Sequence, residues 1–325
     1  MSTKILTFFG LIGYGALALA QVPPGYDAAS FARIGVGARA LALGGAYVAV
    51  AEDVTAAYWN PAGLAFVETF QVEGMYTNWL GVGVHLQYLG LAGYPPLGEA
   101  RPTLRLAERP LVWAFNWLST LVPDIPWSED GVMGTFDARS HLFILSAALQ
   151  LDEKTGVGVN VKVYHDRILE GWSLGMGIDV GFLRYTTLGG VPISLALNTT
   201  DLGGPSIRWY GTTGEAPAYL PWLVRIGLSA RLFENKLVWC GNVEWGLNQP
   251  RFEQARLGAE FVAGPVTLRL GWRQPLWREP GSGKLPGSVW SLGLGLKPWP
   301  WFALDYAYLP GRLGDSHLLA LRMMF

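Results

Sequence analysis

Hydropathy alternates with a period of two along most of this chain, and past residue 20 there is no unbroken apolar run of the length a transmembrane helix needs. In "WSLGMGIDVGF" one face carries Trp172, Leu174, Met176, Ile178, Val180 and Phe182, and the other Ser173, Gly175, Gly177, Asp179 and Gly181. "PWLVRIGLSARLF" and "VTLRLGWR" divide in the same way, with Ile226, Leu228, Leu268 and Leu270 on the oily side and Arg225, Arg231, Arg269 and Arg273 opposite. This period is the signature of a strand, and the segments have the length of strands that cross a bilayer. Only 15% of residues are charged, 13% are aromatic, and 15 are tryptophan. A typical soluble protein carries about 25% charge. In lipid, only helices and closed barrels satisfy every backbone polar group, so a greasy chain without spanning helices points to a barrel. A soluble β-sandwich would alternate as well, with its aromatics mid-strand in the core. Here Trp79, Trp172, Trp222, Trp245, Trp290, Trp299 and Trp301 fall near strand ends, as in membrane girdles.

Clear strand segments are 69–79, 81–92, 139–151, 155–167, 172–185, 191–199, 221–233, 237–247, 254–262, 265–273, 287–297, 301–309 and 317–325. Their number is odd, whereas single-chain barrels are even. Connections after residue 151 alternate short and long, which puts Phe325 on the side of the short, periplasmic turns and demands one more crossing between 93 and 138. "RPLVWAFNWLST" (109–120) is the best candidate. The expected fold is therefore a transmembrane antiparallel β-barrel of about 14 strands. Outside loops are expected at 200–220, at 274–286 and around 119–138, where "STLVPDIPW" reads as an apolar docking patch. Alternation turns Lys162, Asp179, Arg225, Arg231, Arg256, Glu260, Arg269, Arg273 and Asp305 toward the lumen, because each cation at the lipid midplane would cost about 2–4 kcal/mol.

Residues 1–20 read as a secretory signal: Lys4, an apolar stretch from Ile5 to about Leu17, and Ala18-Leu19-Ala20 as the cleavage site. Residues 21–67 are too irregular to span lipid and too apolar for a free tail. They are expected to form an N-terminal plug inside or under the barrel formed by 68–325. Within the plug, "DVTAAYWN" reads as a short helix with Asp53 as N-cap, stopped by Trp59 because the residue before proline avoids the helical region. Asn60-Pro61-Ala62-Gly63 fits a type I turn. Tyr58 and Trp59 are expected to pack against the inner wall.

The run "RIGVGARALALGGAYVAVAEDVTAAYWNPAGLA" resembles the N-terminal segment of PorV/PorQ-like outer-membrane proteins, distant relatives of the FadL-like long-chain fatty-acid transporters, whose plug also carries an Asn-Pro-Ala motif. The C-terminal "LDYAYLPGRLGDSHLLALRMMF" is similar to that family's last hairpin. The resemblance implies that Phe325 is the terminal aromatic read by the barrel assembly machinery, and that the protein sits in the outer membrane among its lipids. It also implies work with a type IX secretion system, with a translocon or exported protein domains as partners. The alternative is a FadL-like channel that passes fatty acids or other hydrophobic small molecules, with the inward arginines holding a carboxylate or closing structural ion pairs.

Little else in the chain suggests chemistry. A net charge of −1 lacks the basic footprint that nucleic acid requires. One cysteine, Cys240, excludes an internal disulfide. His85, His141, His165 and His317 lack metal-ligand spacing, "GVGARA" lacks a βαβ setting, and "GSGK" (281–284) lacks the first glycine of a phosphate loop. No cofactor or metal is expected. An enzyme, such as a lipase built on His141 and Ser146, has no motif to support it.

Overall fold

The computed structural model describes residues 28–93, 105–106, 109–129, 132–211, 217–277, 287–311 and 313–325. The signal-like stretch 1–20, "GSGK" and most of the 274–286 connection lie outside these residues. Fourteen antiparallel strands form a closed ring. They are β1 Gln71–Trp79, β2 Val84–Gly93, β3 Val112–Glu129, β4 Val132–Asp152, β5 Thr155–Ile168, β6 Gly171–Leu188, β7 Val191–Thr200, β8 Leu223–Leu232, β9 Leu237–Gly246, β10 Arg251–Ala263, β11 Val266–Pro275, β12 Val289–Trp299, β13 Phe302–Leu309 and β14 Ser316–Met324. Each pairs with its neighbours in sequence, and β1 pairs with β14 from Gln71 opposite Met324 to Thr77 opposite Leu318, so the ring has no free edge. A short strand, Ser206–Tyr210, pairs with the start of β6 on the same edge as β7, extending the wall there, and pairs in turn with Ala218–Tyr219.

The fourteenth strand lies where the crossing count requires it, but it is longer than the 109–120 segment and starts at Val112. The stretch around 119–138 is not a loop. β3 and β4 continue as one hairpin to Glu129 and Val132. Pro123 and Pro126 break the alternation in the sequence, and the strand absorbs them through an irregularity between Val122 and Ile125, where Asp124 takes φ 54°. "STLVPDIPW" is therefore paired strand, with Ser119 and Thr120 buried, rather than a free patch.

Alternation assigns the two faces as expected. Ile178 and Leu268 are 47% and 54% exposed on the outside, whereas the next residues, Asp179 and Arg269, are 1% and 8% exposed. Trp172, Trp222, Trp245 and Trp290 cluster at the rim away from Phe325, and Trp299 and Trp301 stack at 5.3 Å at the Phe325 rim. Trp79 departs from the girdle reading. It shares the inward parity of Glu73, Met75 and Thr77 and packs on the core.

If the Ile178 face meets lipid, Ile178→Arg is expected to weaken reversible folding into lipid vesicles by about 2–4 kcal/mol. A change below about 0.5 kcal/mol, the size of a neutral surface substitution, would contradict the outward assignment.

Candidate functional site: the occupied lumen

Before β1, the chain forms a 3₁₀ turn (Ser30–Arg33), a helix (Ala38–Ala42), a second helix (Ala56–Trp59) and a 3₁₀ turn (Pro61–Phe66). Helices of five and four residues are not stable alone, so their surroundings hold them. Those surroundings are the barrel wall on all sides. A Cβ added to Gly90 of β2, Gly158 of β5, Gly181 of β6, Gly227 of β8, Gly258 of β10, Gly271 of β11 or Gly293 of β12 would meet, respectively, Val54, Pro61, Asn60, Val48, Leu43, Gly44 or Ala42. A segment that touches strands all round a closed ring lies inside it. The inward glycines of the strand pattern are what allow its backbone to approach so closely. Gly44 and Gly45, at φ 68° and 75°, make the corner after the first helix, and a side chain at Gly44 would lie 2.8 Å from the Trp272 backbone nitrogen.

The motif Asn60–Gly63 forms the expected turn. Asn60 is extended at φ −163°, Gly63 N donates to Asn60 O at 3.0 Å, and Ala62 N donates to Asn60 Oδ1 at 3.2 Å. Asp53 sits two residues before the N-cap position, which Thr55 takes. Its Oδ1 accepts from Thr55 N at 3.1 Å and from Thr55 Oγ1 at 2.5 Å, and the helix begins at Ala56. Pro61 and Ala62 are fully buried with Asn60 and Gly63.

Asparagines tie this turn to the wall. Asn60 Nδ2 donates to Val48 O at 3.0 Å and to Phe182 O of β6 at 3.2 Å. Asn160 Nδ2 of β5 donates to Ala57 O at 2.6 Å, and Asn198 Nδ2 of β7 donates to Trp59 O at 3.0 Å. The last two satisfy carbonyls that the short helix Ala56–Trp59 leaves without a partner. Tyr58 and Trp59 do something other than line the wall. Tyr58 OH donates to Ala32 O at 2.5 Å and Trp59 Nε1 to Val36 O at 2.9 Å. Their rings meet edge to face at 5.0 Å, with Tyr47 6.1 Å from Trp59. They form the segment's own small core, because indole and phenol groups buried in a mostly apolar interior find their acceptors nearby.

Ion pairs make the second set of ties. Arg39 donates to Glu260 through both Nε and Nη2 at 2.9 Å, and Glu260 also receives Arg269 Nε at 2.6 Å. Arg269 Nη1 reaches Asp305 at 2.6 Å. Arg322 of β14 pairs with Asp53, and Glu73 lies 3.6 Å from it. Tyr47 OH donates to Asp53 Oδ2 at 2.7 Å. Burial opposes ionisation of Asp53, but Arg322 and Arg39 outweigh it and hold the carboxyl well below its usual range. Elsewhere Lys162 bridges Asp179 and Asp201, each at 2.8 Å, and Arg225 Nε donates to Glu244 at 2.6 Å, with Arg256 at 3.4 Å from the same carboxylate. Near the Phe325 rim, Glu52 accepts from Tyr185 OH at 2.5 Å and pairs with Arg231.

The inward charges read from the sequence are thus brought into these groups, with two qualifications. Arg231 is half-buried at the rim, and Arg273 has no carboxylate within 4 Å among the described residues. Strand parity marks Glu73, Asn160, Glu244 and Arg322 as inward too, although the sequence reading passed over them. Arg39, Glu52 and Asp53 come from the segment before β1, outside the strands, and carry no such signal. Phe325 N donates to Phe70 O at 2.8 Å, and its ring is exposed. His141 faces outward and Ser146 inward, so the lipase pairing has no geometry.

The structure is thus a closed fourteen-stranded barrel with residues 28–67 of the same chain in its lumen. No protein-family model matches the sequence, and no curated protein sequence matches it. Among solved structures, the toluene transporter TodX of Pseudomonas putida superposes with a TM-score of 0.55 at 13% identity, over 90% of this chain and 99% of TodX. The Ralstonia pickettii toluene transporter TbuX gives 0.51 at 14% identity, over 90% and 98%. The monoaromatic hydrocarbon channel CymD gives 0.51 at 15%, over 90% and 97%. At this identity the likeness is one of fold. None of the three is a PorV/PorQ-like protein, so the secretion partners implied by that resemblance gain nothing from them.

Arg322→Met leaves Glu73 buried without its cation and Asp53 with Arg39 alone at 3.5 Å, and is expected to cost about 3–5 kcal/mol of stability, measured as the heat-induced mobility shift of the folded barrel. Asn160→Ala, which strands the Ala57 carbonyl, is expected to cost about 1–3 kcal/mol by the same assay. No loss in either variant would mean that the segment is not bound to the wall as described.

Proposed function

We propose that this chain is an outer-membrane channel for small hydrophobic molecules and that residues 28–67 are its movable plug. The observation that carries this reading is the lumen itself, filled by a segment that is held by separable polar ties in a barrel of FadL-like fold. Three neighbours of that fold bear the names of toluene transporters or a monoaromatic hydrocarbon channel, and that supports a channel for hydrophobic compounds better than a secretion component.

The inward arginines bear on the cargo. Arg225, Arg231 and Arg269 are each already neutralised by a carboxylate, and only Arg273 of the four is not paired among the described residues. An interior so compensated suits an uncharged apolar solute better than a fatty acid, whose carboxylate would have to displace an existing partner. At rest the path is shut. Beside Tyr58 and Lys162 lies a cavity of 30 Å³, room for a water or two. A 460 Å³ opening lies on the other side, lined by Glu52, Tyr185, Arg231 and Glu260. The Glu52, Tyr185 and Arg231 cluster would latch the plug at that mouth.

A reversible lock tests the movement. A Cβ at Gly227 would lie 3.3 Å from Ala49 Cβ, close to disulfide reach. In a Cys240→Ala background, the Ala49→Cys, Gly227→Cys pair, oxidised, is expected to block uptake of toluene into proteoliposomes. Reductant should restore it. Equal uptake in oxidised and reduced protein would refute a moving plug.

A further inference from the structure

We propose that the outer wall across β4, β5, β6 and the added strand Ser206–Tyr210 is a binding site for the phosphate groups of a multiply phosphorylated lipid. The inference rests on the outer-membrane reading above. Strand register builds the site. On the outside of the wall, Arg139 of β4 is opposite Arg167 of β5, and Arg167 is opposite Trp172 of β6. Trp172 is opposite Tyr210, and its ring stacks on that of Tyr210 at 4.3 Å. One row nearer the membrane centre, His141 is opposite His165, His165 opposite Leu174, and Leu174 opposite Arg208. The three arginines are exposed. Partners on adjacent strands lie about 5 Å apart, so Arg139 and Arg167 stand side by side, and Arg208 stands two strands beyond Arg167, about 10 Å further round the same rim.

The depth of this area is what selects lipid phosphate. Below the two rows the outward residues are Phe143 and Leu145 on β4, Val159, Val161 and Val163 on β5, and Met176, Ile178 and Val180 on β6, with no charge among them. The β5 span from Arg167 down to Thr155 covers about 30 Å at about 3.3 Å per residue and a strand tilt near 40°. That is the thickness of the bilayer's hydrocarbon core. The arginines therefore stand where lipid phosphates lie, on the rim away from Phe325, and a guanidinium forks onto phosphate with paired hydrogen bonds.

At the same rim on the opposite side, the outward residues described are Trp245, Phe252, Trp272, Trp290, Tyr306, Tyr308 and His317, none of them arginine or lysine. Two carboxylates stand near the patch. Asp137 pairs with Arg139 at 3.2 Å, and Glu170 lies in the turn beyond Arg167. Neither Arg167 nor Arg208 has a carboxylate within 4 Å among the described residues. The two imidazoles are held through Nδ1: Trp117 Nε1 donates to His141 Nδ1 at 3.3 Å, and His165 Nδ1 lies 2.9 Å from Ser173 O.

The test is lipid retention by the full-length protein, measured by native mass spectrometry from detergent doped with diphosphorylated lipid A or with phosphatidylcholine. Wild type is expected to retain the diphosphorylated lipid at least tenfold better than phosphatidylcholine. The Arg139→Gln, Arg167→Gln, Arg208→Gln variant should lose that preference, and Arg184→Gln, an exposed arginine near the other rim, should keep it. Equal retention of both lipids by wild type, or undiminished preference in the triple variant, would overturn the proposal. Toluene uptake in phosphatidylcholine liposomes separates the two ideas. If the triple variant still conducts while its lipid preference is unchanged, the lipid site alone fails. If wild type neither folds into micelles nor conducts, the channel reading fails as well.

Discussion

A ring of fourteen strands encloses more space than its own inward side chains can fill, and that geometric surplus governs the rest of this molecule. Eight strands give an interior that side chains can close, whereas larger rings leave a channel or need an insert. Here the insert is the chain's own N-terminus. The inner wall is cut to receive it, with glycines at the points of contact and asparagines and charged groups between them. Lipid sets the other boundary condition, since the ring must close on itself for every backbone group to be paired. β1 and β14 meet that condition directly.

The polar ties inside the barrel carry two demands at once. Arginines and carboxylates removed from water are costly unless matched, and replacing them with apolar residues is often neutral or stabilising. Their abundance is therefore weak evidence for stability alone. What they offer is a contact that can be exchanged for water, which suits a segment proposed to move. The network through Arg39, Glu260, Arg269, Asp305, Arg322 and Asp53 joins the insert to four strands of the C-terminal half, β10, β11, β13 and β14. Loosening it at one point affects the others.

Much of the barrel was legible in the sequence because lipid enforces a strict period of two. Ile178 beside Asp179 and Leu268 beside Arg269 could be assigned to opposite faces from pattern alone. The fourteenth strand followed from the sidedness of the connections. Its extension to Glu129 did not, because Pro123 and Pro126 hide the alternation that a bulge later restores. The insert was less legible. Its helices are too short to show periodicity, so the turn at Asn60–Gly63 could be read while the partners of Tyr58 and Trp59 could not. Those rings turn inward on Tyr47, Ala32 and Val36, contacts set by a path through the lumen that no local pattern encodes. The secretion role suggested by the N-terminal resemblance belongs to the same category, since a shared insert sequence does not say what moves past it.

The account's central claim is that the resting lumen is closed by residues 28–67. Single-barrel conductance in a planar bilayer tests it most directly. Wild-type protein is expected to insert and carry no steady ionic current, and a chain lacking residues 28–67 is expected to open a large, persistent one. A steady, porin-like current through the wild-type barrel would contradict the account.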